Sequence, residues 1–488
     1  MANGGIMAIR SGPEYLASLR DGRSVWHRGR EVEDVTAEPG IGRGTQTLAD
    51  FLDRQQGTDV QEKLTFEEDG ERYSMSFLMP KSVADVQRRG AAYYEWAKWS
   101  NGMFGRTPDY KNASVMAFAG AADFLNSNQT AKSPTDFAAN MRGYYQEARS
   151  NDYVLTHTLV NPQVNAQLAR EGLSSPEVAL RVVEETSAGI RVSGARLLAT
   201  LGPSANEIEV FPSTLLRAAE ENIPYAFAFS IPIATEGLRL ICRDTYDEGK
   251  SNFDAPLASR YEEMDAVVIF ENVLVPWHRV FMYKDPLLCN RAFAETNAVV
   301  HMMHQVACGK LAKVEFIIGL LCAMAQASGK DSDMNVKGQI AEAMWAAETI
   351  RALLFSAEAH AEEDQWGLFV PSRTSLDTSR NMFPKIYPKL IETIHMLGSS
   401  SLMATPCEAD FTGDIAADVE RYFQLTNMES RDRVALFRLA HDVAVSGFGN
   451  RQVLYERFFF GPQNVMASIY YDLYPKDEMV GRVESLLS

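Results

Sequence analysis

The chain has 488 residues, 46% apolar and 23% charged, an ordinary balance for a folded protein of two or three structural units. Its formal net charge of −17 excludes the broad basic footprint that nucleic acid or an anionic membrane demands of a general partner. The five cysteines, Cys242, Cys289, Cys308, Cys322 and Cys407, are odd in number and contain no CxxC pair. Neither a disulfide framework nor a zinc site is expected, and a reducing cytoplasm is the expected location.

Met1 to Gly12 carries no apolar stretch of signal-peptide length. Arg10 to Leu19 has helical spacing, Trp26 to Val35 reads as a short polar hairpin, and Ser82 to Trp99 reads as a helix stopped near Asn101-Gly102. The middle changes character. Gly189 to Gly194 alternates apolar and polar residues, and Tyr225, Phe227, Phe229, Ile231 and Ile233 keep a strict period of two. Ala266 to Phe270 and Val273 to Pro276 are further strand candidates, so a β-barrel or sandwich is expected over about 155–285. Helical spacing then returns. Val299 to Ala327 predicts one long helix, and its apolar run Phe316 to Ala325 is too short to span a bilayer. Ile340, Ala343, Met344, Ala347, Ile350 and Leu354 mark the buried face of the next helix. Further helices fit Tyr387 to Leu397, Val419 to Phe423 onward, and Arg431 to Ser446. Segregated blocks argue for an α+β protein, divided at 1–152, 153–288 and 289–488. No strand is followed by GxGxxG, which disfavours a dinucleotide-binding unit of its own.

Five clusters carry possible chemistry, and each also has a plain structural reading. In GRTPDY at 105–110, Pro108 forces Thr107 into extended geometry, and Arg106 and Tyr110 can present a cation and a phenol to one ligand; the alternative is an ordinary surface turn. His157 lies in a polar, loop-like stretch and serves either as a proton-exchanging group or as a structural histidine. Leu198 to Pro203 reads as a strand end and turn, where Thr200 suits a cofactor edge or a cap. His301, His304 and Cys308 share one helix face, with no fourth metal ligand to complete a site. Gly447 to Gln452 reads as a loop between helices, whose glycines also allow close approach of a ligand and whose Arg451 offers a planar fork for phosphate.

In order, GRTPDY at 105–110, LTHTLVNPQVN at 155–165, GIRVSGARLLATLGPSANE at 189–207, MDAVVIFENVLVPWHRVF at 264–281 and GFGNRQVLYERFFFG at 447–461 resemble the 4-hydroxyphenylacetate 3-monooxygenase oxygenase family over nearly the whole chain. The resemblance implies an acyl-CoA dehydrogenase-like fold: an N-terminal helical domain, a central β-barrel domain and a C-terminal four-helix bundle. It implies the oxygenase component of a two-component monooxygenase that hydroxylates a phenol through a flavin C4a-hydroperoxide. O2 is the co-substrate, and a separate NAD(P)H:flavin reductase supplies FADH2. A homotetramer is the family expectation.

By the same resemblance, Arg106, Tyr110 and His157 hold the phenolic oxygen, and Ser213 and Thr214 meet the substrate's tail. Flavin contacts fall on His157, Thr158, Leu159, Gln163, Val164, Asn165, Ala166 and Thr200, and on Gly449, Asn450, Arg451 and Gln452, the last four reaching a neighbouring subunit's flavin. His301 or His304 matches a helical histidine that deprotonates the phenol in related hydroxylases. The runner-up is a flavin- and iron–sulfur-dependent enzyme like 4-hydroxybutyryl-CoA dehydratase. His301 and Cys308 have its later ligand spacing, but no cysteine precedes Cys242, and Arg106 and Tyr110 stand where its first cysteine pair would be.

Overall fold

Capping chemistry sets the first boundaries. In the computed structural model, which describes residues 8–127, 135–162, 164, 167–168, 175–176, 178–212 and 216–487, Ser11 and Glu14 form a reciprocal cap that starts α1 (Gly12–Ser18). β1 (Ser24–His27) and β2 (Arg30–Glu31) form the expected hairpin, followed by α2 (Gly42–Gln55). Ser82 caps α3 (Val83–Trp99), which ends where Asn101 and Gly102 take φ of 52° and 66°. α4 (Pro108–Gly120) and α5 (Phe137–Ser150) complete the helical first block.

The strands are β3 (Leu155–Thr158), β4 (Arg181–Glu185), β5 (Gly189–Thr200), β6 (Glu207–Val210), β7 (Phe227–Pro232), β8 (Leu238–Cys242), β9 (Asp265–Pro276) and β10 (Val280–Tyr283). Among the described residues they do not close into the expected barrel. They form a six-stranded sheet, β2-β1-β8-β9-β5-β4, and a four-stranded sheet, β10-β7-β6-β3. Aromatic side chains account for the open arrangement: Phe229 of one sheet meets Phe270 of the other edge-on at 6.1 Å, and both are buried, so the space between the sheets is filled by rings. The hairpin also does more than its polar sequence announced. β1 pairs in parallel with β8, Ser24 opposite Arg239, and thereby joins the first block to the central sheet. β7 is buried on both faces, because Ser230 on its small-residue side is covered by Tyr144 of α5, with the two hydroxyls 2.8 Å apart.

The final block comprises α6 (Pro286–Glu295), α7 (Ala298–Ala327), α8 (Met334–Ala359), α9 (Arg373–Gly398), α10 (Ser430–Ala444), α11 (Gly447–Phe458) and α12 (Gln463–Leu473). α7, α8, α9 and α10 pack as a four-helix bundle. α7 matches its expected span and stops before Gly329 at φ 63°. α9 begins well before the expected Tyr387 and runs through Pro384 and Pro388; burial of Phe383, Tyr387, Leu390 and Ile391 outweighs the lost backbone bonds. Met344 is 44% exposed, so the buried face of α8 is narrower than its spacing implied. The helix expected from Val419 onward begins earlier and is short, Ala416–Tyr422. Gly447 to Gln452 is no loop but the start of α11, capped by Ser446. A Cβ at Gly449 would stand 2.2 Å from the Val443 carbonyl oxygen, so glycine is required for α10 to turn so tightly into α11. No described helix is long and apolar enough to cross a membrane.

Candidate active site

Pro108 occupies the first turn of α4, where its missing N–H is harmless, and Thr107 before it is extended (φ −56°, ψ 152°). The GRTPDY segment is therefore a helix start, and it delivers Arg106 and Tyr110 to one place. The Arg106 guanidinium packs on two rings that also touch each other, 4.2 Å from the centroid of Tyr110 and 4.4 Å from that of Phe459, with Tyr455 at 5.7 Å. Its backbone N–H donates to Glu263 Oε1 at 2.6 Å. Its Nε and Nη1 are buried with no hydrogen-bond partner. A guanidinium so placed has donors in reserve for an incoming oxygen.

His157, expected in a loop, stands on β3, its ring 5.9 Å from that of Tyr110. Burial, then Lys111 and Arg106, push its imidazole well below the ordinary range, so it is neutral at pH 7. Burial raises the Tyr110 phenol, with Arg106 pulling the other way, so Tyr110 keeps its proton. Beside them, Lys111 and Glu209 form an ion pair at 2.6 Å with side chains 2% and 1% exposed. Glu209 on β6 is the residue opposite His157 in the β3–β6 ladder, so this pair pins the start of α4 to the strand beside the one that carries His157. The cluster is assembled from the start of α4, from β3 and from the end of α11, and a buried ion pair ties α4 to β6, the strand next to β3.

A second network lies under α11. Arg451 donates Nε and Nη2 to the two oxygens of Asp265, at 2.8 and 2.9 Å, and Nη1 to Glu263 at 3.3 Å. Asp265 also accepts from Thr200 Oγ1 at 2.6 Å and Arg243 Nε at 2.9 Å. Burial penalises this carboxylate, yet Arg451 and Arg243 hold it well below the usual range. The fork of Arg451 is thus occupied within its own chain, as is the hydroxyl of Thr200. Gln452 donates to the Met103 carbonyl at 2.9 Å and accepts from Lys313 at 3.0 Å, and Asn450 bonds back to the Val445 and Ser446 carbonyls. Thr158 Oγ1 donates to the Leu197 carbonyl at 2.8 Å, and the Leu159 carbonyl accepts from Arg196. Beyond them Val160, Val164 and Leu198 are 38%, 64% and 62% exposed, an uncovered apolar margin. Gln163, Asn165, Ala166, Ser213 and Thr214 lie outside the described residues.

His301 and His304 fall in a separate pocket of polar groups between α7, α3 and α8. His301 Nδ1 is 3.1 Å from Arg89 Nη1, and His304 Nε2 is 2.8 Å from Glu358 Oε1. Cys308 Sγ faces the Gly90 carbonyl at 3.7 Å. The shared helix face that suggested a metal site is therefore the face that packs on α3. Asp109, next to Tyr110 but turned toward α7, accepts from Gln305 at 3.1 Å; burial raises its carboxyl to about 6. The aromatic alternation Phe227 and Phe229 belongs to the sheet core, the two rings stacked at 5.6 Å.

Sequence reasoning passed over Glu263, Asp265, Tyr455 and Phe459. The acidic run Glu262, Glu263 and Asp265 ahead of an apolar strand was a signal for the first two. The four-residue step from Tyr455 to Phe459 on one helix face was a signal for the others.

Residues 11–282 match the model of the 4-hydroxyphenylacetate 3-hydroxylase N-terminal family, and residues 289–488 match its C-terminal counterpart. A 4-hydroxyphenylacetate 3-monooxygenase oxygenase component from Thermus thermophilus is 44% identical over 479 residues, covering 98% of this chain and 97% of that protein. A crystal structure of such an oxygenase component, complexed with FAD and 4-hydroxyphenylacetate, superposes with a TM-score of 0.93 at 44% identity over 98% of both chains. The 4-hydroxybutyryl-CoA dehydratase of N. maritimus shares the fold, with a TM-score of 0.86 at 16% identity over 98% of this chain and 95% of that one. With both family models matched in sequence order, from the first capped helix to the C-terminal helices, the chain belongs to the 4-hydroxyphenylacetate 3-hydroxylase family.

Proposed function

We propose that this protein is the oxygenase component of a two-component, FAD-dependent monooxygenase that hydroxylates a phenolic substrate, 4-hydroxyphenylacetate being the first candidate. The observation that carries the reading is the Arg106 guanidinium, packed on the rings of Tyr110 and Phe459 with buried donors that lack a partner. A phenol has a pKa of about 10, so its neutral form dominates at pH 7 by roughly a thousandfold. The anion is the better nucleophile at its ring carbons. Arg106 Nε and Nη1 donate to the phenolic oxygen and favour the anion, and the protonated Tyr110 adds a third donor. Neutral His157 accepts the phenolic proton or donates to the oxygen, according to its tautomer.

Reduced FAD, once bound, supplies with O2 the electrophilic oxygen atom. The apolar margin of Val160, Val164 and Leu198 beside β3 and β5 fits a flat ring that excludes water. His157, Thr158, Leu159 and Gln163 to Ala166 would hold the ring, while the Thr200 hydroxyl is already given to Asp265. Gly449 to Gln452 would reach a neighbouring subunit's cofactor through backbone, because the Arg451 fork is already engaged. Ser213 and Thr214 would meet the substrate's tail. A separate NAD(P)H:flavin reductase would deliver the reduced FAD. The exposed apolar residues Leu454, Phe458, Val465, Ile469, Leu486 and Leu487 on the C-terminal segment support a homo-oligomer, which we take to be a tetramer, and the five unpaired cysteines fit the cytoplasm.

The test supplies the full-length protein with reduced FAD in air and a panel of phenols including 4-hydroxyphenylacetate, scoring hydroxylated product against hydrogen peroxide. Product in excess of peroxide for at least one phenol is expected, with reduced FAD bound more tightly than oxidised FAD. Peroxide alone across the panel, or a stably yellow protein that reduces dyes from acyl-CoA, would overturn the reading.

A further inference from the structure

Near the Phe459 ring lies a buried charged group with no role in holding the phenol or the flavin. Lys310 and Lys313, one turn apart on α7, both donate to one carboxylate, Glu456 of α11. The three side chains are 5%, 1% and 3% exposed. Lys313 donates in addition to Gln452, a neutral group. Two cations on one carboxylate leave one positive charge unmatched and out of water, an arrangement that burial strongly penalises unless something nearby makes use of it.

Among the described residues neither lysine has an ion pair with a second carboxylate; Glu263 is taken up by the Arg106 backbone N–H and Arg451 Nη1, and Asp109 faces Gln305 of α7. From α9, Arg380 brings another cation, which shares Asp377 with Arg373 at 3.4 and 3.1 Å. From the same helix Phe383 and Tyr387 present ring faces, 4.2 Å from Lys310 and 5.2 Å from Lys313. From α11 come Glu456, Tyr455 and Phe459. Near the substrate space, Lys111 is matched by Glu209, while His157 and Tyr110 are uncharged at pH 7. Lys310 Nζ is 6.0 Å from the centroid of Phe459, and Arg106 lies 4.4 Å from that same ring. The unmatched charge stands one aromatic ring away from the guanidinium that faces the substrate. Burial pushes the Lys310 ammonium below its ordinary value, against the pull of Glu456 and with the push of Lys313.

We propose that Lys310 is a positioning residue for the hydroxylation: its unmatched buried charge, one ring behind Arg106, favours the anionic form of the bound phenol, and its contact seats the Phe459 ring against Arg106. The proposal rests on Arg106, Tyr110 and His157 being the phenol-holding groups. At an effective dielectric of about 20 and a separation on the order of 10 Å, one charge moves the acidity of the bound phenol by about one pH unit.

The experiment titrates 4-nitrophenol, yellow only as its anion, bound to the full-length protein between pH 5 and 9. The wild type is expected to lower the apparent pKa of the bound phenol relative to free 4-nitrophenol. Lys310→Met should raise it by about one unit toward the free value, and Lys310→Arg should restore it. Because Lys313 still pairs Glu456, the Lys310→Met protein is expected to fold, which thermal unfolding checks. Glu456→Gln, which enlarges the unmatched charge, should move the pKa in the opposite direction and serves if Lys310→Met does not fold. Arg106→Met is the reference. If Arg106→Met raises the pKa while neither Lys310→Met nor Glu456→Gln moves it, the proposal is overturned and the phenol site stands. If Arg106→Met leaves it unchanged, or the wild type does not bind 4-nitrophenol, the phenol-site reading falls and the proposal falls with it.

Discussion

Arg451 on α11 and Arg106, packed on Tyr455 and Phe459 at the end of that helix, are joined through Glu263, yet they are opposites. Arg451 spends its planar fork on Asp265 and its remaining nitrogen on Glu263. Arg106 gives Glu263 only its backbone N–H and rests its guanidinium on rings, with Nε and Nη1 unpartnered. The first is an architectural cation that ties α11 to β9. The second is held in place by rings and the Glu263 backbone bond, so its charge and donors remain available. Burial alone does not separate the two roles; what each guanidinium already donates to does.

The largest expected effect breaks the architectural side. Arg451→Ala leaves Asp265 and Glu263 as buried carboxylates with fewer partners and should cost about 3–5 kcal/mol of stability, read as a shift in the urea midpoint. A loss below 1 kcal/mol would mean that the Arg451 fork is free for a ligand after all. Next, Arg106→Ala should lower the rate of product formation about a hundredfold and divert oxygen to peroxide, with little change in the unfolding midpoint. A large stability loss with product yield preserved would move Arg106 to the architectural class.

Asp109→Asn probes the border between the two regions. Burial raises this carboxyl from 3.8 to about 6, so its folded state holds the proton more tightly than the unfolded chain. Asp109 therefore opposes folding increasingly as pH rises from about 4 to about 6, and by a constant amount above that. The variant should gain on the wild type by about 2–3 kcal/mol across that window and then stay level. The depressed His157 and His301 act in the reverse sense, losing stability as pH falls below about 6.5, and cancel in the comparison because both proteins carry them. A stability difference independent of pH would refute the raised carboxyl. The smallest effect is expected from Thr200→Val, which removes one hydrogen bond to Asp265 and should cost about 1 kcal/mol, leaving affinity for reduced FAD unchanged. Weaker flavin binding at unaltered stability would return Thr200 to the cofactor.

The block order of helices, strands and bundle was legible from periodicity, because 3.6- and 2-residue repeats are local properties of the chain. So was the span of α7, whose ends carry their own signals. The start of α9 was hidden by Pro384 and Pro388, since burial of Phe383 and Tyr387 overrides a local penalty. The start of α11 was hidden by two glycines, whose reason is the closeness of the Val443 carbonyl and not flexibility. The resemblance carried by ordered motifs grouped Arg106, Tyr110 and His157 before any coordinates, and the structure places Tyr110 within 4.2 Å of the Arg106 guanidinium and 5.9 Å of the His157 ring. Sequence by itself determined the order of helical and strand blocks, the family resemblance and the grouping of Arg106, Tyr110 and His157. Only the tertiary structure decided that β1 completes the central sheet, that His301 and His304 pack against α3 and α8, and that Arg451 is already engaged while Arg106 is not. The physical reason is that a side chain's chemical availability depends on which partners arrive from distant segments, here Asp265 and Glu263 for one arginine and the rings of Tyr110 and Phe459 for the other.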